Sequence, residues 1–384
     1  MKLAFLSPDD RELRKDYGAA QPVVPAVEAA LLAGLVKEKG LEVHYISCLQ
    51  APVRSPEKLA DNIWFHSLHV PKLGWMRTGY QGCVRAIRKK LQEIQPDIVH
   101  GQGCERECGL ASAFSGFPNV ITIHGNMKAV AEFYHAPLGS FFWLAGKLET
   151  VALRRTDGVL CNSAYTENVV APRAKHTWRV ANAVRSEFFD LPKNAVRAPR
   201  PVLLNVGVVV EHKQQVEILA VAKNLWRRGL RFELQFAGAV HPHTPYGAKF
   251  LRELAEAQTA GYARYLGSLP VNELVAAMDA ASALVHFSGE ESFGLVVAEA
   301  LARNLKLFTH RLGGVPDIAD GVDGAEILPL NAWTDLENAI ARWLETGAPL
   351  PTRAAAMMRE RYHPEVIARR HLEVYREVLA NSAK

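Results

Sequence analysis

The chain has 384 residues, of which 49% are hydrophobic and 22% charged, with a formal net charge of +5. That length suits two ordinary domains, and the composition is that of a globular enzyme rather than a disordered, fibrous or disulfide-stapled chain. The mildly basic balance is too small to argue for nucleic acid, and no run approaches the roughly 20 apolar residues that span a bilayer.

Met1-Lys-Leu-Ala-Phe-Leu-Ser-Pro8 has an apolar part too short for a signal peptide and predicts a first strand, residues 2–6. Helical spacing of Ala, Leu and Val predicts a helix over 24–38. A strand follows over 42–47, a helix over 84–94, and strands over 97–100 and 120–124. A helix over 141–154 and a strand over 158–161 complete the first half. This alternation argues for a doubly wound parallel sheet with ligand loops at the carboxyl ends of its strands. Leu191-Pro-Lys-Asn-Ala-Val-Arg-Ala-Pro-Arg-Pro201 reads as an exposed linker between a first domain, 1–190, and a second, 202–363.

The second domain repeats the pattern. Strands are expected over 202–206, 232–237, 265–266, 283–287, 305–309 and 326–328. Helices are expected over 215–228, 248–260, 272–280, 295–303 and 335–345. A last helix covers about 364–379. Cysteines 48, 83, 104, 108 and 161 are an odd, scattered set, which suggests buried reduced thiols in a cytoplasmic protein. Arg85, Arg88, Lys89 and Lys90 share one predicted helix behind Trp64, Trp75 and Arg77. That cluster is either a solvated helix face or a peripheral contact with anionic membrane at its inner face.

Glu291-Ser-Phe-Gly-Leu-Val-Val-Ala-Glu299 is the richest segment. It follows an apolar strand, contains a Gly turn and opens an apolar helix. Strand, loop and helix start together aim unpaired backbone N–H groups and the positive end of a dipole above the carboxyl edge of a sheet, where a phosphate binds. Both carboxylates suit hydroxyl recognition. Two Glu at this spacing alone would describe a solvated helix face.

The block Ser288-Gly-Glu-Glu-Ser-Phe-Gly-Leu-Val-Val-Ala-Glu-Ala-Leu301, with Leu312-Gly-Gly-Val-Pro-Asp317 after it, resembles the E-x7-E signature of the retaining glycosyltransferases of family 4. The resemblance implies an α/β GT-B fold, two Rossmann-like domains with doubly wound parallel sheets facing across a cleft, and a C-terminal helix, 364–384, that returns to the first domain. It implies a glycosyltransferase that moves a sugar from a UDP or GDP donor to the hydroxyl of a glycan, glycolipid or small-molecule acceptor, with retention and with no metal or other cofactor. Glu291 would hold sugar hydroxyls and Glu299 the ribose. The amides of Ser292, Phe293, Gly294 and Leu295, with Lys213, would take charge on the leaving diphosphate. His124, in Thr122-Ile-His-Gly-Asn126, would reach the donor sugar and phosphate. Gly18 and Gly207 match glycines whose backbone approaches the donor.

The chain departs from the family pattern at four places. Val208 stands for an Arg that grips the diphosphate, and Gln214 for a Gly, while Gly207 and Lys213 keep their positions. His212, Lys306 and Arg311 are candidate substitute cations. Ala183 and Arg185 replace the Gly and Asp of a loop that leads to the hinge, a departure expected to touch interdomain geometry more than chemistry. His100 is a second strand-end histidine and a cleft candidate, and Ser163 a helix cap. The acceptor is expected among the loops 9–20, 52–80, 101–108 and 125–140. A sugar-nucleotide or glycan-binding protein without turnover is the alternative of a different class.

Overall fold

A computed structural model describes residues 1–191 and 200–382. The chain divides into two compact units, Met1–Ala183 with Pro364–Lys384, and Val184–His363. Most of the expected linker, residues 192–199, lies outside the described residues, as do 383–384. The division falls a few residues earlier than expected. The Val184 N–H donates to the Tyr362 carbonyl, and the Arg303 guanidinium donates to the Phe188 and Asp190 carbonyls, so 184–190 is tied into the second unit.

The first unit is built on eight strands: β1 (Lys2–Leu6), β2 (Glu42–Leu49), β3 (Lys58–Ala60), β4 (Ile63–His69), β5 (Ile98–Gln102), β6 (Asn119–Ile123), β7 (Gly158–Cys161) and β8 (Thr177–Arg179). Their order is β3-β4-β2-β1-β5-β6-β7-β8, parallel throughout except for the β3–β4 pair. Every residue of β5 and β6 is buried, as a sheet covered on both faces requires. The expected strands appear with ends shifted by one or two residues. The region 52–80, expected as an acceptor loop, instead contains β3 and β4, and β4 pairs with β2 from Val43↔Ile63 to Leu49↔His69.

The basic cluster lies on the helix Gln81–Ile94, whose buried face is Cys83, Val84, Ile87, Leu91 and Ile94. Arg85, Arg88 and Lys89 are exposed. Trp75 is not available beside them, because it is buried and its indole donates to the Val70 carbonyl at 2.8 Å. Trp64 stacks on His44 and carries the Lys58 ammonium 4.1 Å from its ring centroid. Among the described residues no helix is long and apolar enough to cross a membrane. All five cysteines are buried and free.

The last helix, Pro364–Ser382, belongs to the first unit and packs on the helix Ala26–Leu35. The approach is close enough that a Cβ on Gly34 would lie 2.2 Å from the Pro364 carbonyl oxygen.

The second unit carries β9 (Val202–Val206), β10 (Glu233–Ala237), β11 (Ala263–Gly267), β12 (Ala283–His286), β13 (Lys306–His310) and β14 (Ala325–Leu328), all parallel in the order β11-β10-β9-β12-β13-β14. Its core joins Leu203, Phe236, Phe250, Val285 and Phe308 to the helices Gln215–Arg227, Pro245–Thr259 and Trp333–Glu345. The helix Ala354–Tyr362 was not expected. It is short and mixes arginines with alanines, so its sequence shows little apolar periodicity.

Candidate functional site

In each sheet the strand order reverses once, between β1 and β5 in the first unit and between β9 and β12 in the second. Chains leaving two such strands turn to opposite sides and open a crevice at the carboxyl edge, which is where ligands bind in this architecture. Gly207 and Lys213 follow β9. Glu291 follows β12. The sheet topology therefore brings together residues that lie about eighty positions apart in sequence.

Lys213 Nζ donates to Glu291 Oε2 at 2.6 Å, and His286 Nε2 lies 3.1 Å from the same oxygen. Burial alone would raise the Glu291 pKa, but Lys213 and His286 outweigh it and hold the carboxyl well below its ordinary range. Glu291 is thus an ionised acceptor at any physiological pH. Its backbone is fixed as firmly as its side chain. Gly314 N–H donates to the Glu291 carbonyl, and a Cβ on Gly313 would sit 1.7 Å from that oxygen, so only glycine fits at position 313. Gly289 N–H donates to the His212 carbonyl at 2.6 Å, which locks this loop onto the segment that presents Lys213.

Gly294, at φ +98°, turns the chain into the helix Leu295–Ala302. The first N–H groups of a helix have no acceptor within it, so this start can receive an anion. Phe293 was expected to contribute its backbone amide and not its ring. Its ring is buried against Tyr362, centroids 5.7 Å apart, so only its backbone can face a ligand. Ser292 is buried with Oγ 3.5 Å from Glu290 Oε1.

Glu299 is buried one face further along the helix and is paired with Arg185, Nη2 to Oε1 at 3.0 Å. Burial raises the Glu299 pKa to about 7, against the lowering effect of Arg185. The departure from the family loop places a cation on the expected ribose carboxylate, a contact the reading of Arg185 did not include. The sequence carried the signal, an Arg where an Asp was expected, but the 114-residue separation hid its partner.

The proposed substitutes for the missing arginine are otherwise engaged. Lys306 pairs with Glu326 at 2.8 Å and Arg311 with Asp320 at 2.8 Å. His212 adjoins Lys213, and its pKa is lowered by burial and then by that lysine, so it is neutral at pH 7. Val208 is 45% exposed, an apolar side chain left in solvent where the family has its arginine. Gly207 has φ +155° with only Gln215 Nε2 near a built Cβ, at 3.9 Å. Gln214 takes the left-handed conformation, φ 56°, at the position where the family has glycine.

In the first unit, His124 leaves β6 at the carboxyl edge. Its Nε2 lies 2.9 Å from Gln102 Oε1, so that nitrogen carries the proton and donates. Burial lowers the His124 pKa, opposed by Glu105 and Asn182, and the ring is neutral at pH 7. Gln102 Nε2 in turn lies 3.0 Å from His100, whose two nitrogens meet Tyr375 Oη at 2.6 Å and Thr122 Oγ1 at 2.7 Å. His100 has no exposed surface, so it is a core residue joining β5, β6 and the last helix and not the cleft residue expected.

Gly18 is exposed, outside the left-handed region, and a Cβ there would meet only Asp16 Oδ1 at 3.9 Å. Sterics do not require glycine at this place. The loop after β1 is organised instead by a short helix, Asp10–Arg14, and by the buried Asp9–Arg11 pair at 2.7 Å.

Ser163 accepts from the Thr166 N–H and caps the helix Ala164–Val170, as expected. A cavity of about 340 Å³ opens at the β1/β5 crevice, lined by Asp10, Glu28, Gln102, Glu105, Arg106 and His124 among others. Glu28 and Glu105 had not been singled out. A carboxylate on the apolar face of Ala26-Val-Glu-Ala-Ala-Leu-Leu32 was the available signal for the first.

Residues 29–185 match the family described as Glycosyltransferase Family 4, and residues 187–361 match Glycosyl transferases group 1. A curated relative, the alpha-maltose-1-phosphate synthase of Mycolicibacterium smegmatis, is 27% identical over 300 residues, which cover 71% of this chain and 76% of that protein. The 2-deoxystreptamine glucosyltransferase of Streptomyces kanamyceticus is 23% identical over 297 residues, 72% of this chain and 74% of that one. Among solved structures, the sucrose-phosphate synthase of Thermosynechococcus elongatus superposes with a TM-score of 0.76 at 18% identity, covering 99% of this chain and 100% of that one. Anabaena HepE in complex with UDP-glucose gives 0.72 at 16% identity, covering 98% and 100%.

Proposed function

The chain belongs to glycosyltransferase family 4 and has the GT-B fold; on that premise we propose that it moves a sugar from a nucleotide-diphosphate donor to a hydroxyl of a small acceptor, with retention and without a metal ion. The observation that carries the donor reading is the Lys213–Glu291–His286 cluster at the β9/β12 crevice, directly ahead of an open helix start. In this reading Glu291 accepts from sugar hydroxyls. Lys213 and the Gly294–Leu295 amides stabilise the charge that develops on the leaving diphosphate, where preorganised donors have most effect. The bond from the anomeric carbon to the phosphate oxygen breaks, the bond to the acceptor oxygen forms, and the acceptor's proton passes to the departing phosphate. Glu299 holds the ribose. Arg185 is the added cation of this unit's site, and it keeps Glu299 partly ionised at neutral pH.

UDP is the favoured donor base, because solved neighbours were crystallised with UDP and UDP-glucose. A small acceptor is favoured over a polymer by the small molecules that the names of the curated relatives carry, alpha-maltose-1-phosphate and 2-deoxystreptamine. A thermal-shift screen against UDP, GDP, ADP and their sugar conjugates tests the donor reading. A ligand at a hundred times its Kd stabilises the folded protein by about 2.7 kcal/mol, and one base is expected to do so selectively. Glu299→Ala and Arg185→Ala are each expected to weaken that nucleotide by about tenfold, the loss of one charge-assisted hydrogen bond. Unchanged affinity in both variants would remove Glu299 from the ribose. Anomeric configuration of the product by NMR tests retention, and activity in excess EDTA tests metal independence. No stabilisation by any nucleotide would favour the binding protein without turnover or another ligand altogether.

A further inference from the structure

We propose that the cavity at the β1/β5 crevice is an ammonium site: it takes an acceptor of sugar size that carries a primary amine, an amino sugar or aminocyclitol, with the cation against Glu28. The proposal rests on the transferase reading and adds to it the chemical class of the acceptor.

Three carboxylates from separate segments line this cavity: Asp10 after β1, Glu28 in the first turn of the helix Ala26–Leu35, and Glu105 after β5. Arg106 is the lining residue with a permanent positive charge, and it is already committed. Its Nε lies 3.7 Å from Glu107, and its guanidinium stacks on Trp75 at 5.0 Å. Glu28 is the residue that makes this more than an acidic patch. Its side chain is 6% exposed and receives no hydrogen bond from any other described residue. Its own backbone N–H is its hydrogen-bond donor; His124 Nε2 is 3.8 Å away and gives its proton to Gln102. Glu105 accepts from the Gly125 N–H at 2.6 Å and from its own backbone N–H.

A buried carboxylate that no other residue's N–H or O–H reaches is costly, and proteins keep such groups where a ligand completes them. All three carboxyls are pushed above their ordinary pKa, in each case first by burial. A neutral hydroxyl could satisfy a hydrogen bond here but would leave the charge uncompensated. An ammonium supplies both the donors and the charge. A metal ion is a poorer fit, since no three His, Cys, Asp or Glu side chains among the described residues form a group that could hold one. The volume, about 340 Å³, suits one substituted six-membered ring.

The groups that face Glu28 are Asp10, Glu105, Arg106, His124, the Tyr45 hydroxyl and the Cys108 thiol. The test uses two probes that differ only in the proposed feature, streptamine and scyllo-inositol, titrated by calorimetry at pH 7.5, alone and with UDP saturating. Streptamine is expected to bind at least tenfold more tightly than scyllo-inositol, and Glu28→Gln to remove at least tenfold of that affinity. Equal binding of the two, a preference for scyllo-inositol, or no binding of either would overturn the proposal. The comparison of probes on the unaltered protein needs no variant to fold. UDP is titrated separately on the same samples. Its failure to bind would count against the donor reading alone, and the probe comparison would still decide the pocket.

Discussion

Glu28 keeps its proton in the folded protein up to about pH 7, whereas an exposed glutamate releases it near 4.5. Between those values the folded state binds one proton more than the unfolded chain. Stability therefore falls as pH rises through this window, by about 1.4 kcal/mol for each pH unit. Glu28→Gln removes the titration. We expect the variant to match the parent near pH 4.5 and to exceed it by up to about 3 kcal/mol above pH 7, read from urea unfolding at both pH values. A constant difference across the range would mean that Glu28 is not the buried acid described. Glu291 makes the opposite case at the same scale. It is largely out of solvent, yet two basic neighbours hold it ionised, so one residue type serves as a fixed acceptor in one unit and a protonatable group in the other.

At the scale of elements, the loop between β9 and the helix Gln215–Arg227 shows how the chain accommodates its departures. The family glycine lies where the backbone must enter the left-handed region, and Gln214 enters it at φ 56° with its Oε1 buried and without a partner. Both features are unfavourable, the first by about 1 kcal/mol. Gln214→Gly is expected to stabilise the second unit by about 1 kcal/mol and to raise its melting temperature by roughly 2–4 °C in a calorimetric scan. A lower melting temperature would show that the Gln214 amide makes a contact that outweighs the strain. The segment 184–190 behaves likewise as an element held from outside itself. Arg303, at the end of the signature helix, grips its carbonyls and so delivers Arg185 to Glu299.

At the scale of the whole molecule, the last helix is part of the first unit although it ends the chain. Ile367, Leu372, Val374, Tyr375 and Val378 are buried, and Tyr375 closes the His100–Gln102–His124 network that leads to the cavity. A chain ending at residue 363 is expected to lose hydrogen-exchange protection in β1 and β5 while β9 and β12 stay protected. Equal protection in both units would show that the helix is dispensable.

Strand and helix periodicity, the two α/β repeats and the Glu291–Glu299 signature were all legible in the sequence, because each depends on residues within one or two elements of one another. The partners of the signature were not. Lys213 and Glu291 were named separately, but their contact follows from the reversal of strand order at β9/β12. Arg185 was expected to bear on interdomain geometry more than chemistry because nothing local tied it to Glu299. Glu28 passed as one polar position in an apolar helix, and His100 looked like a site residue because a strand end by itself does not reveal a covering helix from residue 364 onward. The sequence by itself determined the elements, the family and the signature helix, since short-range patterning dictates them. Only the tertiary structure decided which charges are paired, which are buried alone and which histidine is core. Those properties depend on desolvation and on neighbours that the sheet order, not the chain order, supplies.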